Sequence, residues 1–180
     1  MDRPRERARE HHEFFHSLFP SVTDPVILAS GSAIRRSLLE GVALDFTIER
    51  SAVDEALLKV AFAGTTEAMA GMLAEAKAVD VSRRSPSALV IGSDSIAECR
   101  GKRFDKPRDR AEATEHLRFF SGKALSLVSA AVVARDGVAE WTCVDRARLW
   151  VRRLSDAFIE DYLAAEWPGV ASCVGVFRME

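Results

Sequence analysis

Side chains suited to holding a phosphate group lie where a short apolar run gives way to an expected helix. The segment SGSAIRR, from Ser30 to Arg36, follows the apolar residues VILA. Free backbone amides at a helix N-terminus form an anion site, and the hydroxyls of Ser30 and Ser32 add polar partners. Arg35 supplies a charged donor. A capped helix with surface arginines explains the same pattern, so both interpretations stay open here.

Asp94 is the strongest candidate among the acidic residues for a role in catalysis or metal binding. It belongs to the segment VIGSDS, from Val90 to Ser95, inside the most apolar expected strand. A buried carboxylate costs free energy unless it is paired or binds a metal. The alternative is a carboxylate that accepts hydrogen bonds from backbone amides at the end of a strand.

Further charged residues occur in a helix and in loops. Asp54 and Glu55 open an expected helix, where they either complement the helix dipole or supply oxygen ligands to Mg²⁺. Lys77 lies on an expected helix and Lys106 in a Lys-Pro loop. Each lysine alone is most simply a solvated surface residue. Together with Arg35 they would form a clamp for phosphate oxygens.

The sequence does not support several other kinds of functional site. The segment SGK, from Ser121 to Lys123, resembles part of a P-loop, but Leu117 replaces its first glycine and Ala124 its Ser or Thr. Only His116 of the 4 histidines lies beyond the N-terminal segment, so a nucleophilic triad is not expected. The 3 cysteines show no CxxC pattern, which indicates reduced thiols. The net charge of −2 gives no electrostatic reason for a nucleic-acid partner.

Strands and helices alternate along the chain, and this order must position the charged residues. An α/β fold with a mixed sheet is therefore expected. Asp136-Gly137 predicts a hairpin between two long strands. The expected strands cover 26–30, 43–51, 88–99, 123–135, 138–153 and 171–179, and the expected helices cover 33–40, 54–62, 66–83, 110–120 and 155–165.

The N-terminal segment and the apolar runs of the sequence indicate where in the cell the protein is found. Residues 1–24 interleave Arg with Asp and Glu, which predicts a flexible extension. No apolar run approaches the roughly 18 residues that a bilayer span needs. The N-terminus also lacks the apolar core of a signal peptide. The sequence therefore predicts a cytoplasmic protein with no membrane partner.

The chemistry-bearing segments, taken in order, resemble the Maf family of nucleotide pyrophosphatases (septum-formation-inhibitor-like proteins). Order and spacing agree from about Val26 to the end of the chain, and alphaproteobacterial members are the most similar in form. The segments that carry the resemblance are LASGSAIRRSLL (28–39), VDE (53–55), EAKA (75–78), VIGSDS (90–95), DKP (105–107) and SGK (121–123).

The resemblance implies a Maf/ITPase-like α/β fold, in which a mixed twisted sheet with flanking helices surrounds a deep cleft, and a homodimer. It also implies Mg²⁺-dependent hydrolysis of a nucleoside triphosphate to the monophosphate and pyrophosphate. Asp94 would accept the proton of the attacking water, and Glu55 would help Asp94 to place the metal or the water. Phosphate oxygens would be bound by Ser30, Ser32, Arg35, Lys77 and Lys106.

The chain departs from the family at positions linked to the choice of base. Ala33-Ile34 replace Pro followed by Arg or Trp, and Ser95 replaces Thr or Gln. The pattern of pyrimidine-preferring members is therefore not met, and an aromatic platform for 7-methylguanine is missing. Glu180 occupies a Gln or Glu position, and its carboxylate could accept hydrogen bonds from a guanine edge. The resemblance also implies that a domain over 25–180 lacks the family's C-terminal GLPL-containing segment.

Two other functional classes compete with the enzyme. One is a non-catalytic nucleotide-binding regulator of cell division that uses the same cleft. The other is an α/β interaction module whose charges are only solvated. Replacement of Asp94 by Asn should abolish turnover in the enzyme and leave binding in the regulator. In the interaction module no nucleotide should stabilise the fold.

Overall fold

The computed structural model describes residues 24–42 and 44–177. The chain separates into two compact units. Unit one comprises the described parts of residues 1–60, 72–93 and 131–142. Unit two comprises residues 61–71 and 94–130 and the described residues from 143 onward. The predicted extension over 1–24 lies outside the described residues apart from Asp24.

The secondary structure is a mixture of strands and helices in the predicted order, apart from a short strand over Lys102–Phe104 that the sequence did not predict and the predicted final strand, which is not found in the described residues. The strands are β1 (Val26–Leu28), β2 (Thr47–Ile48), β3 (Leu89–Cys99), β4 (Lys102–Phe104), β5 (Ala124–Arg135) and β6 (Val138–Trp150). The helices are α1 (Ala33–Gly41), α2 (Glu55–Ala61), α3 (Thr66–Ser82), α4 (Arg110–Phe120) and α5 (Asp156–Glu166), followed by a 3₁₀ turn over Gly169–Ser172.

The strands form one mixed sheet. Their order is β2-β1-β3-β5-β6, with β4 paired to β3. β1 is parallel to both β2 and β3, whereas β4 is antiparallel to β3. The predicted hairpin joins β5 to β6 through Asp136 and Gly137, whose φ angles of 48° and 81° suit a tight hairpin turn. The predicted mixed α/β fold is therefore confirmed.

Unit one is organised around the pairing of β1 with β3. Every residue of β1 is buried, and Ile27 is in register with Val90. An apolar cluster forms where these strands meet the end of α3: Ile27, Ala29, Val81, Ala88 and Val90. A strand buried along its whole length reads as a continuous apolar run, which explains why the sequence revealed β1.

Helix α3 approaches β3 most closely at Gly92. A Cβ atom built on Gly92 would lie 2.7 Å from the backbone nitrogen of Ala78 and closer still to the carbonyl oxygen of Ala74. Both neighbours are helix backbone, so they cannot move aside as a flexible side chain would. Glycine at this position is therefore a condition for seating the helix on the strand.

Unit two contains an aromatic cluster in which His116 is embedded. The ring of Phe104 lies edge-on to His116 with centroids 5.0 Å apart, and its centroid lies 4.7 Å from that of Phe120. The Nδ1 atom of His116 is buried and has no hydrogen-bond partner in the described part of the chain. Burial lowers the pKa of the imidazole from its ordinary value of 6.5.

Replacing His116 with Phe is expected to flatten the decline of stability in mild acid. Because the folded pKa lies below the unfolded one, the unfolded chain binds the proton more readily, and stability falls as pH drops below about 6.5. Removing a buried polar atom without a partner should also stabilise the fold by roughly 1 kcal/mol at pH 8. Urea unfolding at pH 8, 6.5 and 5 measures both effects, and parallel pH profiles for the two proteins would contradict the first.

Two predicted strands differ from the structure. The strand expected over 171–179 is wrong for its described part, which contains the 3₁₀ turn and a further turn at Gly175 and Val176. These two residues have φ angles of 88° and 59°, which an extended strand does not allow. Within this segment Val176 packs against α4 and α5, together with Val170, which lies just before it. The strand expected over 43–51 shortens to Thr47–Ile48.

Candidate functional site

The loop between β1 and α1 is built around two serine hydroxyls. Ser30 is buried, and its Oγ accepts hydrogen bonds from the Ser32 amide at 3.3 Å and from Nη1 of Arg35 at 3.0 Å. Ser32 has extended backbone and caps α1 by accepting from the Arg35 amide at 3.5 Å. The structure therefore brings together three of the predicted phosphate-binding residues. Ile34, predicted to influence base choice, is 44% exposed on the first turn of α1.

A second guanidinium at this loop belongs to Arg50, which the sequence did not indicate. A Cβ atom built on Gly31 would lie 2.7 Å from Nε of Arg50, so the guanidinium packs directly against the glycine. Arg50 follows the short strand β2, which is parallel to β1, so both strands end at the same edge of the sheet. The strand expected over 43–51 contains Arg50, so the sequence gives no signal that separates this arginine from the other residues of the strand.

Lys77 and Glu55 form an ion pair. The Nζ atom of Lys77 lies 2.9 Å from Oε1 of Glu55, and the two side chains are 7% and 41% exposed. The solvated-lysine interpretation is therefore wrong for Lys77. Asp54 caps the same helix by accepting from the Leu57 amide at 3.1 Å, as the helix-dipole interpretation requires. At the start of helix α2, the Asp54 carboxylate therefore binds the helix backbone and the Glu55 carboxylate binds the buried ammonium of Lys77.

Asp94 lies inside β3 and is 6% exposed. Side chains alternate along a strand, so Asp94 shares a face of β3 with Gly92, and Ser95 projects to the opposite face. The Oγ atom of Ser95 lies 3.1 Å from that of Ser129 on β5. Burial of the Asp94 carboxylate meets the condition under which the sequence favoured a functional role.

The remaining predicted residues are less constrained. Lys106 is exposed in the loop that follows β4, and Pro107 beside it is buried. Glu180 lies outside the described residues. Lys106 belongs to unit two, whereas Ser30, Arg35 and Lys77 belong to unit one.

The acidic residues limit how a metal ion could be held. Across residues 24–42 and 44–177, no group of three or more His, Cys, Asp or Glu side chains is placed to bind a metal. Glu55 and Asp94 nevertheless offer only oxygen donors, which suit a hard cation such as Mg²⁺. Mg²⁺ commonly takes one or two carboxylates, with substrate phosphates and water as its other ligands. Glu55 in unit one and Asp94 in unit two each offer a donor of this kind.

The described geometry supports phosphate chemistry more than other reactions. Unit one combines an amide-and-hydroxyl loop, two guanidinium groups and a buried ammonium. These groups bind and neutralise phosphate oxygens, and in phosphoryl transfer such positioning contributes more than covalent catalysis.

Along the described chain no helix is long and apolar enough to cross a bilayer.

Comparison with known proteins gives consistent matches over most of the chain. The family model described as Maf-like protein matches residues 25–180. A nucleoside triphosphate pyrophosphatase of Sphingopyxis alaskensis is 43% identical over 159 residues, which cover 86% of this chain and 80% of that protein. A 7-methyl-GTP pyrophosphatase of Rhizobium meliloti is 42% identical over 158 residues, covering 86% and 79%. A nucleoside triphosphate pyrophosphatase of Ruegeria pomeroyi is 38% identical, covering 88% and 81%.

Proposed function

The chain belongs to the Maf-like protein family, and from this premise we propose that it is a metal-dependent nucleoside triphosphate pyrophosphatase. The reaction joins water to the α-phosphorus and releases pyrophosphate, leaving the nucleoside monophosphate. Relatives that are 37–43% identical over most of the chain carry the name of this activity. A non-catalytic regulator is not favoured by these names.

The single structural observation that carries the proposal is the burial of Lys77. A lysine that is 7% exposed has lost most of its hydration. Its ammonium, paired with Glu55 at 2.9 Å, supplies a positioned positive charge of the kind that binds phosphate oxygens. An interaction module with only solvated charges would not place a cation there.

The proposed assignment of roles follows the chemistry of each group. Asp94 accepts the proton of the attacking water, because a carboxylate within reach of that water acts as a general base. Glu55 and Asp94 hold the metal, proposed to be Mg²⁺. When bound, this cation neutralises charge on the phosphate oxygens and on the departing pyrophosphate. The phosphate oxygens themselves are bound by Ser30, Ser32, Arg35, Lys77 and Lys106.

The Glu55–Lys77 ion pair also indicates how the substrate is admitted. The Nζ atom of Lys77 lies 2.9 Å from Oε1 of Glu55. A phosphate oxygen that takes over the ammonium frees the Glu55 carboxylate for the accompanying cation. Binding of the phosphate and binding of the cation are thereby coupled, and each should strengthen the other.

The finer part of the proposal concerns the base. We infer a guanine-type base, because the Glu180 carboxylate can accept hydrogen bonds from the guanine N1–H and exocyclic amine. A relative named 7-methyl-GTP pyrophosphatase, 42% identical to this chain, is compatible with such a base. Ile34 and Ser95 are the other two positions proposed to influence base choice. We also propose a cytoplasmic homodimer.

A nucleotide panel tests the activity and its metal dependence. With Mg²⁺ and GTP, 7-methyl-GTP, dTTP, UTP or CTP, the chain is expected to release pyrophosphate, fastest with a guanine base. Excess EDTA should abolish the release, and added Mg²⁺ should restore it, because the phosphate charge is otherwise not neutralised. Pyrophosphate must be detected separately from orthophosphate, which would indicate cleavage at the γ-phosphorus instead.

The panel separates the functions at issue. Pyrophosphate release from none of the nucleotides would contradict the enzymatic proposal. In that case a rise in Tm with Mg²⁺ and GTP would indicate the nucleotide-binding regulator. Release without preference for guanine would remove the base assignment and leave the reaction intact.

A further inference from the structure

A pocket of about 370 Å³ in unit two lies against the SGK segment. The segment resembles a P-loop in part without meeting its pattern. None of the residues proposed above for catalysis, metal binding or base choice lines this pocket. We call it the SGK pocket, and its charged and aromatic lining residues are Glu98, Arg100, Lys123, Arg146, Arg148 and Trp150.

Positive charge dominates the lining of the SGK pocket. Its only carboxylate among the described residues, Glu98, is already engaged. Nη1 of Arg146 lies 3.3 Å from Oε1 of Glu98, and the Thr66 hydroxyl donates to the other oxygen. The hydrogen bond from Thr66, with Arg146, holds the pKa of Glu98 below its usual value, so this carboxylate stays charged. Arg146 is further occupied by Glu67, 2.6 Å from its Nη2.

Three cations of the pocket remain without a carboxylate partner among the described residues: Arg100, Lys123 and Arg148. The ammonium of Lys123 donates to the carbonyl of Phe119 and lies 4.6 Å from the centroid of its ring. These contacts fix its position without neutralising its charge. The chain as a whole has a net charge of −2, so this accumulation of positive charge is local. Like charges gathered in a concavity attract an anion.

An aromatic side chain and bare backbone complete the pocket. Trp150, at the end of β6, is 79% exposed. An exposed indole offers a flat apolar face, which stacks well on a nucleobase. Gly101, with φ of 77°, adds a stretch of wall where even a Cβ atom would meet nothing within 4 Å. The pocket therefore combines phosphate-binding charge, a stacking surface and open space.

We propose that the SGK pocket binds a free nucleotide, as a second site that the pyrophosphatase reaction does not use. Arg100, Lys123 and Arg148 bind its phosphate oxygens, and Trp150 stacks on its base. The volume suits one small ligand. A single aromatic residue in the pocket and the negative net charge favour a mononucleotide over single-stranded nucleic acid, which needs a longer basic groove and several stacking residues.

Isothermal titration with α,β-methylene-GTP, which cannot release pyrophosphate, tests the second site. In the presence of Mg²⁺ the wild-type chain is expected to bind two equivalents. Arg148→Gln should weaken one binding event by about tenfold, the usual effect of losing a charge-assisted hydrogen bond. Trp150→Ser should weaken the same event by roughly tenfold through lost stacking. The affinity for inorganic triphosphate should be lowered by Arg148→Gln and unchanged by Trp150→Ser, because this ligand has no base to stack.

Matched controls separate this proposal from the pyrophosphatase function. Arg83→Gln removes the same charge from an exposed arginine of unit one and should change neither binding event. Lys77→Met should weaken only the event that belongs to the candidate site. If the proposed reaction were wrong, Lys77→Met would have no effect, yet Arg148→Gln and Trp150→Ser would still weaken one binding event.

Two results would overturn the second site. One is a single equivalent bound by wild type that Lys77→Met weakens and neither pocket variant does. The other is two equivalents of which neither is weakened by Arg148→Gln or Trp150→Ser, while the circular dichroism of these variants matches wild type. Trp150 and Arg148 are exposed, so neither substitution removes a core contact. Tighter binding of a single-stranded oligonucleotide than of α,β-methylene-GTP would reject the mononucleotide and identify a nucleic-acid site instead.

Discussion

Replacement of Asp94 by Asn is expected to reduce kcat for pyrophosphate release by roughly 10³-fold, within the range found for loss of a general base. The amide keeps the size and most hydrogen bonds of the carboxylate but accepts no proton from water. KM should change less, because binding of the phosphates is assigned to other residues. Steady-state kinetics with GTP and Mg²⁺ measure both quantities.

The hairpin residue Asp136 offers a control with the identical chemical change. Its side chain accepts from the Ser87 amide at 3.0 Å, which an Asn oxygen can also do. Its φ of 48° is one that Asn tolerates well. Asp136→Asn should therefore leave kcat and Tm close to wild type. Comparable kcat for Asp94→Asn and wild type would remove Asp94 from the mechanism.

Replacement of Gly92 by Ala is expected to cost about 3 kcal/mol of unfolding free energy, in the range of overpacking a core. The new methyl group would overlap the α3 backbone at Ala74 and Ala78. Helix α3 must therefore move away from β3 or the strand must bend. Because Lys77 precedes Ala78 on this helix, the substitution should also raise KM for the nucleotide. Urea unfolding and steady-state kinetics measure the two effects.

Gly71 provides the matched control on the same helix. A Cβ atom there would meet only Cγ2 of Val144 at 3.7 Å, an ordinary contact. Ala is a better helix former than Gly, so Gly71→Ala should stabilise the fold by about 0.5–1 kcal/mol. If Gly92→Ala proved no more destabilising than Gly71→Ala, the close seating of α3 on β3 would be incorrect.

The elements that the sequence revealed are those with local signals. Ser32, Asp109 and Ser155 were each expected at a helix start, and each accepts a hydrogen bond from a backbone amide three residues later. The hairpin at Asp136-Gly137 is equally local. Caps and tight turns are decided within a few residues, so their residue types suffice to predict them.

What the sequence could not reveal depends on contacts between distant segments. Nothing in the segment EAKA distinguishes a buried Lys77 from an exposed one, because its burial follows from how α3 is seated in the fold. The apolar segment after Ala171 looked like a strand because its valines are buried. Val176 is buried against α4 and α5, and Val174 is half-buried against the cluster that contains Ala97 and Leu125, so neither belongs to a strand. Arg50 reaches the Gly31 loop only through the pairing of β2 with β1.

The residues of the candidate site could be predicted from their types. How they act together as a site remains a proposal. The sequence singled out the serine loop, and the structure adds the hydrogen bonds that link Ser30, Ser32 and Arg35. It likewise paired Glu55 with Lys77, which no local pattern specifies. Side chains far apart in sequence acquire such partners only when the fold brings their elements together.

The parallel pairing of β1 with β3 has a consequence for the order in which the chain folds during synthesis. Val26 is in register with Leu89, so the first strand cannot complete its hydrogen bonds until α1, β2, α2 and α3 have left the ribosome. Pairings this distant in sequence form slowly. The apolar strand Val26–Leu28 can pair early with β2 on one side, but its edge toward β3 stays unpaired on the nascent chain, where chaperones have most reason to act.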